Sequence, residues 1–421
     1  MIKRLKVENF GPIASADIEF GDITVIIGPQ NSGKSYLATL INISQGWCDL
    51  NNGAFLEDHF YFLLQELIRV KKGTGRYNEH EIKDVLRNNI DEFTEELIKE
   101  SINLEKRGLR NVLPTLLKNY YLVELWDLIY KRSNYASINC YFDGDEITHS
   151  VSFKIKENKI NVDINVDKIN VDKVRIKELE LTLRTSRVEG ETYHKYESII
   201  IPTERMTLLS LFAQTTTALL DIYQRYGKEF KVKNSLMHYI KHMNILLNEP
   251  REYKIFDIGK LTINEKGLIK GIYFNDKKRK IKVPLNSAGS GIMQLAGIVI
   301  PIEMLDTKFI IIEEPEINLH ADMQLKVAEY LAKVSKTKKL FITTHSELIL
   351  TKLIHLYKLG KIKELKAYFI DSDKVKPIEI GEAGEYELPK SIAKVLEVLD
   401  KEALELSRKI YGSAVYEPNI S

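Results

Sequence analysis

Hydrophobic and polar positions change rhythm along this chain, and each change marks an element. Residues 1 to 27 alternate: Leu5, Val7 and Phe10 lead into Gly11-Pro12, and Ala16, Ile18 and Phe20 lead into Gly21-Asp22. A period of two, punctuated by glycine and proline, predicts two strands joined by a turn. The uninterrupted run Ile23-Thr24-Val25-Ile26-Ile27 predicts a strand of the sort covered on both faces. From Trp47 to about Arg132 the spacing turns helical, as in Phe60, Leu63, Leu64 and Leu67 and again in Leu113, Leu116, Leu117 and Tyr120. A helical insertion is therefore expected over residues 47–134.

Tyr135 to about Arg187 returns to alternation, with Val151, Phe153 and Ile155 on one face, and residues 135–195 are expected as a β-rich insertion. From Ile160 the unit Ile-Asn-Val-Asp occurs three times, which makes one face apolar and the other polar. Asp163, Asp167 and Asp172 lack the glycine and spacing of a calcium loop, so a solvated edge hairpin is expected. Ser198-Ile-Ile-Ile-Pro202 predicts a buried parallel strand ending at Thr203-Glu204-Arg205, with helical spacing from Leu208 to Leu247. Glu252 to Val283 reads as strands and turns, with a basic hairpin at Lys277-Lys278-Arg279-Lys280. Phe309 to Ile312 and Leu340 to Thr344 are continuous apolar runs, which place a parallel sheet in a core split between residues 1–46 and 196–421.

The candidate chemistry sits at the ends of these runs. Gly28-Pro29-Gln30-Asn31-Ser32-Gly33-Lys34-Ser35 is a complete G-x-x-x-x-G-K-[ST] phosphate loop between a predicted strand and a predicted helix that opens at Tyr36. Its backbone N–H groups and the helix N-terminus suit a triphosphate, Lys34 can reach the outer phosphates, and the Ser35 hydroxyl can ligate Mg²⁺. The strand Phe309–Ile312 delivers Glu313 and Glu314 at its C-terminal end, where ligands bind in open α/β sheets. Because neighbouring strand positions point to opposite sides, Glu313 and Glu314 can take different tasks: one can hold Mg²⁺ or its water and the other can orient the attacking water, Glu314 being taken for the water and Glu313 for the metal, with Glu316 structural. His345, at the end of Leu340–Thr344, is expected beside that strand and within reach of the γ-phosphate.

Bulk properties narrow the class. With 421 residues the chain is long enough for two or three cores. Basic and acidic residues nearly cancel, 61 against 59, so nucleic acid can be held only by local basic patches. Two cysteines, Cys48 and Cys140, suit a reducing compartment and exclude a disulfide framework. The N-terminus mixes charge with apolar residues and is no signal peptide, and no run approaches the roughly 18 to 20 apolar residues of a spanning helix. A soluble, cytoplasmic protein with no membrane partner is expected.

The ordered set of phosphate loop, Glu-Glu-Pro-Glu-x-x-Leu-His at Glu313–His320 and Thr-Thr-His-Ser at Thr343–Ser346 resembles the ABC-type ATPases of the SMC, RecF and OLD groups. It is most similar to the AAA-like ATPases associated with overcoming-lysogenisation-defect and phage-defence systems. The opening Ile2 to Ile13 matches their usual start, and Ile201-Pro202-Thr203-Glu204-Arg205 resembles their Pro-Ala-Glu-Arg segment, which places Arg205 near the site. The resemblance implies an α/β P-loop NTPase with an ABC-type head, ATP and Mg²⁺ as cofactors, and Lys34, Glu314 and His345 as catalytic residues. It implies a homodimer in which a serine- and glycine-containing signature meets the partner's γ-phosphate. The candidate is Asn286 to Gln294, with Ser290-Gly291 the first register, Ser287 the second, and Gly289 between them. It departs from Leu-Ser-Gly-Gly-Gln, just as Glu313 departs from the family's Asp. His320 falls where the family's D-loop crosses the interface. DNA and a separate nuclease or toxin effector are the further partners implied. Asp371-Ser372-Asp373 is the sole likeness to the Toprim nuclease domain of OLD proteins and is expected to be a turn. A self-sufficient nuclease and the ATPase subunit of a membrane transporter are the rival readings.

Overall fold

The computed structural model describes residues 1–47, 106–131, 133–143, 147–169, 198–209, 251–266, 269–305, 307–387 and 400–406, with isolated positions between them. Phe60 to Leu67, Asp172 and most of Leu208 to Leu247 lie outside the described residues.

The first strands, β1 (Ile2–Phe10) and β2 (Ile13–Glu19), pair antiparallel around Gly11-Pro12. Gly11 has φ +55°, and a Cβ there would meet the Tyr36 ring at 2.6 Å, so only glycine makes this turn against its neighbour. β3 (Ile23–Ile27) leads through the phosphate loop into α1 (Lys34–Trp47). Then come β4 (Ala136–Asp143), β5 (Ile147–Lys156), β6 (Lys159–Ile169) and β7 (Ser198–Ile201). β8 (Glu252–Ile255), β9 (Gly259–Lys266), β10 (Ile269–Asp276) and β11 (Ile281–Pro284) form a separate antiparallel sheet. α2 (Ser290–Met304), β12 (Phe309–Glu313), α3 (Ala321–Val334), β13 (Lys339–Thr344), α4 (Glu347–Lys358), β14 (Leu365–Asp371) and β15 (Lys374–Pro377) follow.

Among the described residues the main sheet runs β6-β5-β4-β1-β2-β15-β14-β3-β13-β12-β7. Its strands from β14 to β7 are all parallel, and those from β6 to β2 are all antiparallel. β15 joins the halves, with an antiparallel ladder to β14 but only Lys374 paired to Ser15 on β2. The α/β class with a mixed sheet is thus present. Strands β4 to β6, expected as an insertion, continue this sheet outward from β1.

Alternate residues of each parallel strand feed two cores. Ile23, Val25, Ile27, Ile310, Ile312, Leu340 and Ile342 face α2, α3, α4 and the four-stranded sheet. Ile26, Ile200, Phe309, Ile311 and Phe341 face α1. That second core runs on beneath the antiparallel half, which buries one face only and is covered by Leu109, Leu113 and Leu117 of the helical stretch 106–121. β6 is the outer strand: Ile160, Val162 and Ile164 are buried while Asn161, Asp163 and Asn165 are exposed.

Candidate nucleotide site

The phosphate loop takes its shape from residues that tolerate left-handed backbone. Asn31 has φ +58° and Gly33 φ +97°, and a Cβ on Gly33 would approach Ile13 and Pro12 to 2.7 and 2.8 Å. Asparagine and glycine are the residues that adopt such angles most readily. Lys34 opens α1, so the positive end of that helix points into the loop.

Three parallel strands bring the distant residues together. β13 lies between β3 and β12, with Thr344 opposite Ile27 and Thr343 opposite Glu313. The phosphate loop, the acidic pair and His345 therefore leave the same edge of the sheet. Gln30, Asn31, Ser32, Gly33, Lys34, Ser35, Tyr36, Glu314 and His345 line one cavity of ≈530 Å³.

Within the cavity the charges are already organised. The Lys34 ammonium donates to the carbonyls of Gly28 at 2.9 Å and Pro29 at 2.8 Å. Burial lowers its pKa, and the charges of Glu314, Glu316 and Glu313 work against that fall. His345 Nε2 lies 3.3 Å from Glu314 Oε1. Glu316, expected to be structural, accepts the His345 backbone N–H with its Oε1 at 2.6 Å.

Strand alternation does not separate the two carboxylates. β12 ends at Glu313, which is buried, and Glu314 turns away with φ +45°. This bend carries Glu314 into the cavity. Its N–H donates to Thr343 O at 2.8 Å, and Arg205 holds its carbonyl from the other side at 2.8 Å. Arg205 is fully buried, and burial brings its guanidinium down to about 10.

The residues fit a triphosphate. The Ser32 hydroxyl is buried in the loop with no hydrogen-bond partner, and Lys34 is satisfied only by loop carbonyls, so both have capacity for an anion. Ser35 lines the cavity and can offer its hydroxyl to Mg²⁺, which takes one or two protein oxygens and keeps phosphates and water as its other ligands, whereas Glu313, also expected to hold the metal, is buried at the end of β12 and is not on the cavity wall.

Several expected residues lie elsewhere. Gly289 caps the start of α2, Ser290 is its first residue, and Ser287 ends the short 3₁₀ turn Leu285–Ser287; none of them, nor Gly291, is on the cavity wall. Gly291 instead approaches the loop after β12, where an added Cβ would lie 3.2 Å from Asn318 O. His320 is exposed, with Nδ1 2.8 Å from Asp322 Oδ1. Asp371 pairs with Lys376 at 2.7 Å, and Asp373 accepts from Tyr130 Oη at 2.5 Å, which holds the β14–β15 turn.

Sequence reasoning missed one wall. Gly11, Pro12, Asp127, Ile129, Tyr130 and Lys131 close the side of the cavity beyond the loop. Gly11-Pro12 is visible only as a turn signal, and residues 127–131 arrive from the end of a segment read as helical. Gly11 N–H donates to Leu128 O, and Tyr130 N–H donates to Asn9 O, which anchors that segment to β1.

The family model described as AAA ATPase domain matches residues 1–350. No curated protein matches the chain. Among solved structures, one titled as the SmcHead bound to the C-winged helix domain of ScpA is similar at 11% identity and a TM-score of 0.44, covering 93% of this chain and 99% of that one. An SMC head domain from Thermotoga maritima is similar at 12% identity and a TM-score of 0.41, covering 90% and 99%. A Smc head domain with an extended coiled coil, bound to the C-terminal domain of ScpA derived from Pyrococcus furiosus, gives 12%, 0.41, 96% and 99%.

Proposed function

The chain belongs to the AAA ATPase domain family, and we propose that it hydrolyses ATP as an ABC-type dimer whose engagement depends on bound nucleotide. The observation that carries this reading is the division of the site. Lys34, Glu314 and His345 share one cavity, while Ser287, Gly289, Ser290 and Gly291 lie off its wall at the start of α2. A serine- and glycine-rich helix start offers N–H groups and hydroxyls to an anion. Placed outside its own cavity, it is available to the γ-phosphate held by a second copy.

In the reaction a water oxygen bonds to the γ-phosphorus as the bond to the β–γ bridging oxygen breaks. Glu314 orients that water, and His345, 3.3 Å from Glu314, contacts the γ-phosphate and senses its loss. Lys34 exchanges its loop carbonyls for phosphate oxygens and balances charge as the bond breaks. Mg²⁺, with Ser35 and Glu313 as the residues to hold it, supplies further neutralisation of the phosphates when bound.

The output acts on DNA or on a separate effector protein, in keeping with the likeness to ATPases of phage defence. Support comes from the exposed basic turn Lys277-Lys278-Arg279-Lys280 between β10 and β11, since β11 runs directly into Leu285–Ser287 and α2. A phosphate backbone held there would touch the same element that meets the partner's nucleotide.

The test is Glu314→Gln, which removes the water-orienting carboxylate and leaves the phosphate loop intact. With ATP and Mg²⁺ this variant is expected to elute as a dimer in size exclusion, and the wild type with ADP as a monomer. A Glu314→Gln protein that binds ATP and stays monomeric ends the dimer reading.

A further inference from the structure

Arg205 stands apart from the rest of the site because its side chain does not line the cavity, yet it is the largest fully buried side chain among the described residues. Its Nη1 donates to Pro202 O at 2.8 Å and to Glu313 O at 2.7 Å, and its Nη2 donates to Glu314 O at 2.8 Å. A single planar guanidinium thus ties the end of β7 to both carbonyls of the acidic pair. Lysine cannot copy this, because its donors radiate from one nitrogen rather than from a flat fork.

What those bonds hold is an uncommon backbone. Glu314 has φ +45°, where residues with a side chain are rare, and it persists only if its surroundings dictate it. The Thr343 carbonyl takes the Glu314 N–H on one side, and Arg205 takes the carbonyl on the other. With Arg205 gone, two inward carbonyls lose their donors and the peptide after Glu314 is free to turn. The carboxylate would then leave its place beside His345.

Gly297, in the middle of α2, completes the arrangement. A Cβ there would lie 3.1 to 3.2 Å from Cβ, Cγ and Cδ of Arg205, tighter than ordinary contact, so a methyl group at this position would push the stem of Arg205 aside by a few tenths of an ångström. Tyr239 Oη donates to the Gly297 carbonyl at 3.0 Å and closes the far side. The helix that presents Ser290-Gly291 therefore packs directly on the residue that sets the Glu314 backbone.

We propose that Arg205 is a positioning residue for hydrolysis, which fixes the left-handed turn at Glu314 and links it to the helix that faces the partner's nucleotide, and that Gly297 is glycine to make room for it. This rests on the ATPase reading above. Arg205 acts through Glu314, so its loss changes turnover and leaves the phosphate loop unaltered.

The experiment measures steady-state ATP hydrolysis, binding of a non-hydrolysable ATP analogue and the thermal unfolding midpoint for wild type, Arg205→Lys and Gly297→Ala. Gly297→Ala is the variant to rely on if Arg205→Lys does not fold, because alanine favours the helix and acts on the site only by displacing the Arg205 stem. Each variant is expected to lose about 10- to 100-fold in kcat, the scale of a small misplacement of a reacting group, with analogue affinity and KM within about twofold of wild type. Variants with wild-type kcat per folded molecule, or with turnover, affinity and unfolding midpoint falling together, overturn the inference while the ATPase reading stands. A wild type that releases no phosphate from ATP overturns both.

Discussion

The two halves of the main sheet are built from the same apolar residues and do different work. In the parallel half, β14 to β7, neighbouring strands run the same way, so the residues that follow them arrive on one edge and meet in one cavity. In the antiparallel half, β6 to β2, successive strands reverse, and their ends are shared between two edges. Among the described residues of its connections, only the β1–β2 turn, through Gly11 and Pro12, reaches the site. Shared direction concentrates chemistry, whereas reversal spreads it and leaves a supporting wall.

The sharpest separation of the halves comes from Lys34→Met. Hydrolysis is expected to fall by about 100- to 1,000-fold, the usual scale for losing one preorganised charge at a transition state, with the unfolding midpoint almost unmoved. A phosphate-release assay beside a thermal melt checks this; a melt that collapses along with activity would make Lys34 a structural residue. Next in size is a matched pair of core truncations. Ile342→Ala in β13 and Ile138→Ala in β4 both empty fully buried positions, and each should cost about 2–5 kcal/mol in urea unfolding. Turnover per folded molecule should drop only for Ile342→Ala, whose strand carries His345. Equal losses of turnover would mean that the antiparallel half shapes the site more directly than its strand directions allow.

The smallest effect tests the outer edge. Lys106 Nζ lies 2.7 Å from Asp163 on β6, and this hydrogen bond is the main reason the Asp163 pKa is lowered. A group lowered in this way stabilises the fold above the ordinary carboxylate value and loses that contribution as pH falls through its lowered one. Exposed pairs contribute little, so Lys106→Met should cost at most about 0.5 kcal/mol near neutrality, with the difference from wild type shrinking as pH falls below the ordinary carboxylate range.

Much of this architecture was written in local pattern. The runs at Ile23–Ile27, Phe309–Ile312 and Leu340–Thr344 are apolar because helices or sheet cover both faces, and Gly28 to Ser35 is a loop whose spacing has few other uses. What stayed hidden depends on contacts between segments far apart in the chain. That residues 127–131 close the cavity follows from Gly11 and Asn9 bonding to Leu128 and Tyr130, which no periodicity records. The bend at Glu314 was equally invisible, since a strand ending in two glutamates reads as simple alternation until Arg205 is seen holding both carbonyls.

The repeated Ile-Asn-Val-Asp unit of β6 carries a further consequence. Over its first two copies, Ile160 to Asp167, sliding that strand by four residues would set isoleucine on isoleucine and aspartate on aspartate, and within the strand it is Lys168, brought to the buried place of Ile164, that tells the slipped register from the native one. Contacts from outside the repeat add to this. The two-residue turn between Lys156 and Lys159, left-handed at Glu157, counts the strand from one end, and Arg110 Nη2 marks its middle by donating to Val162 O at 3.3 Å. Lengthening that turn would therefore loosen the frame of the hairpin, and a four-residue slip would be resisted by the charge of Lys168 entering the buried place of Ile164.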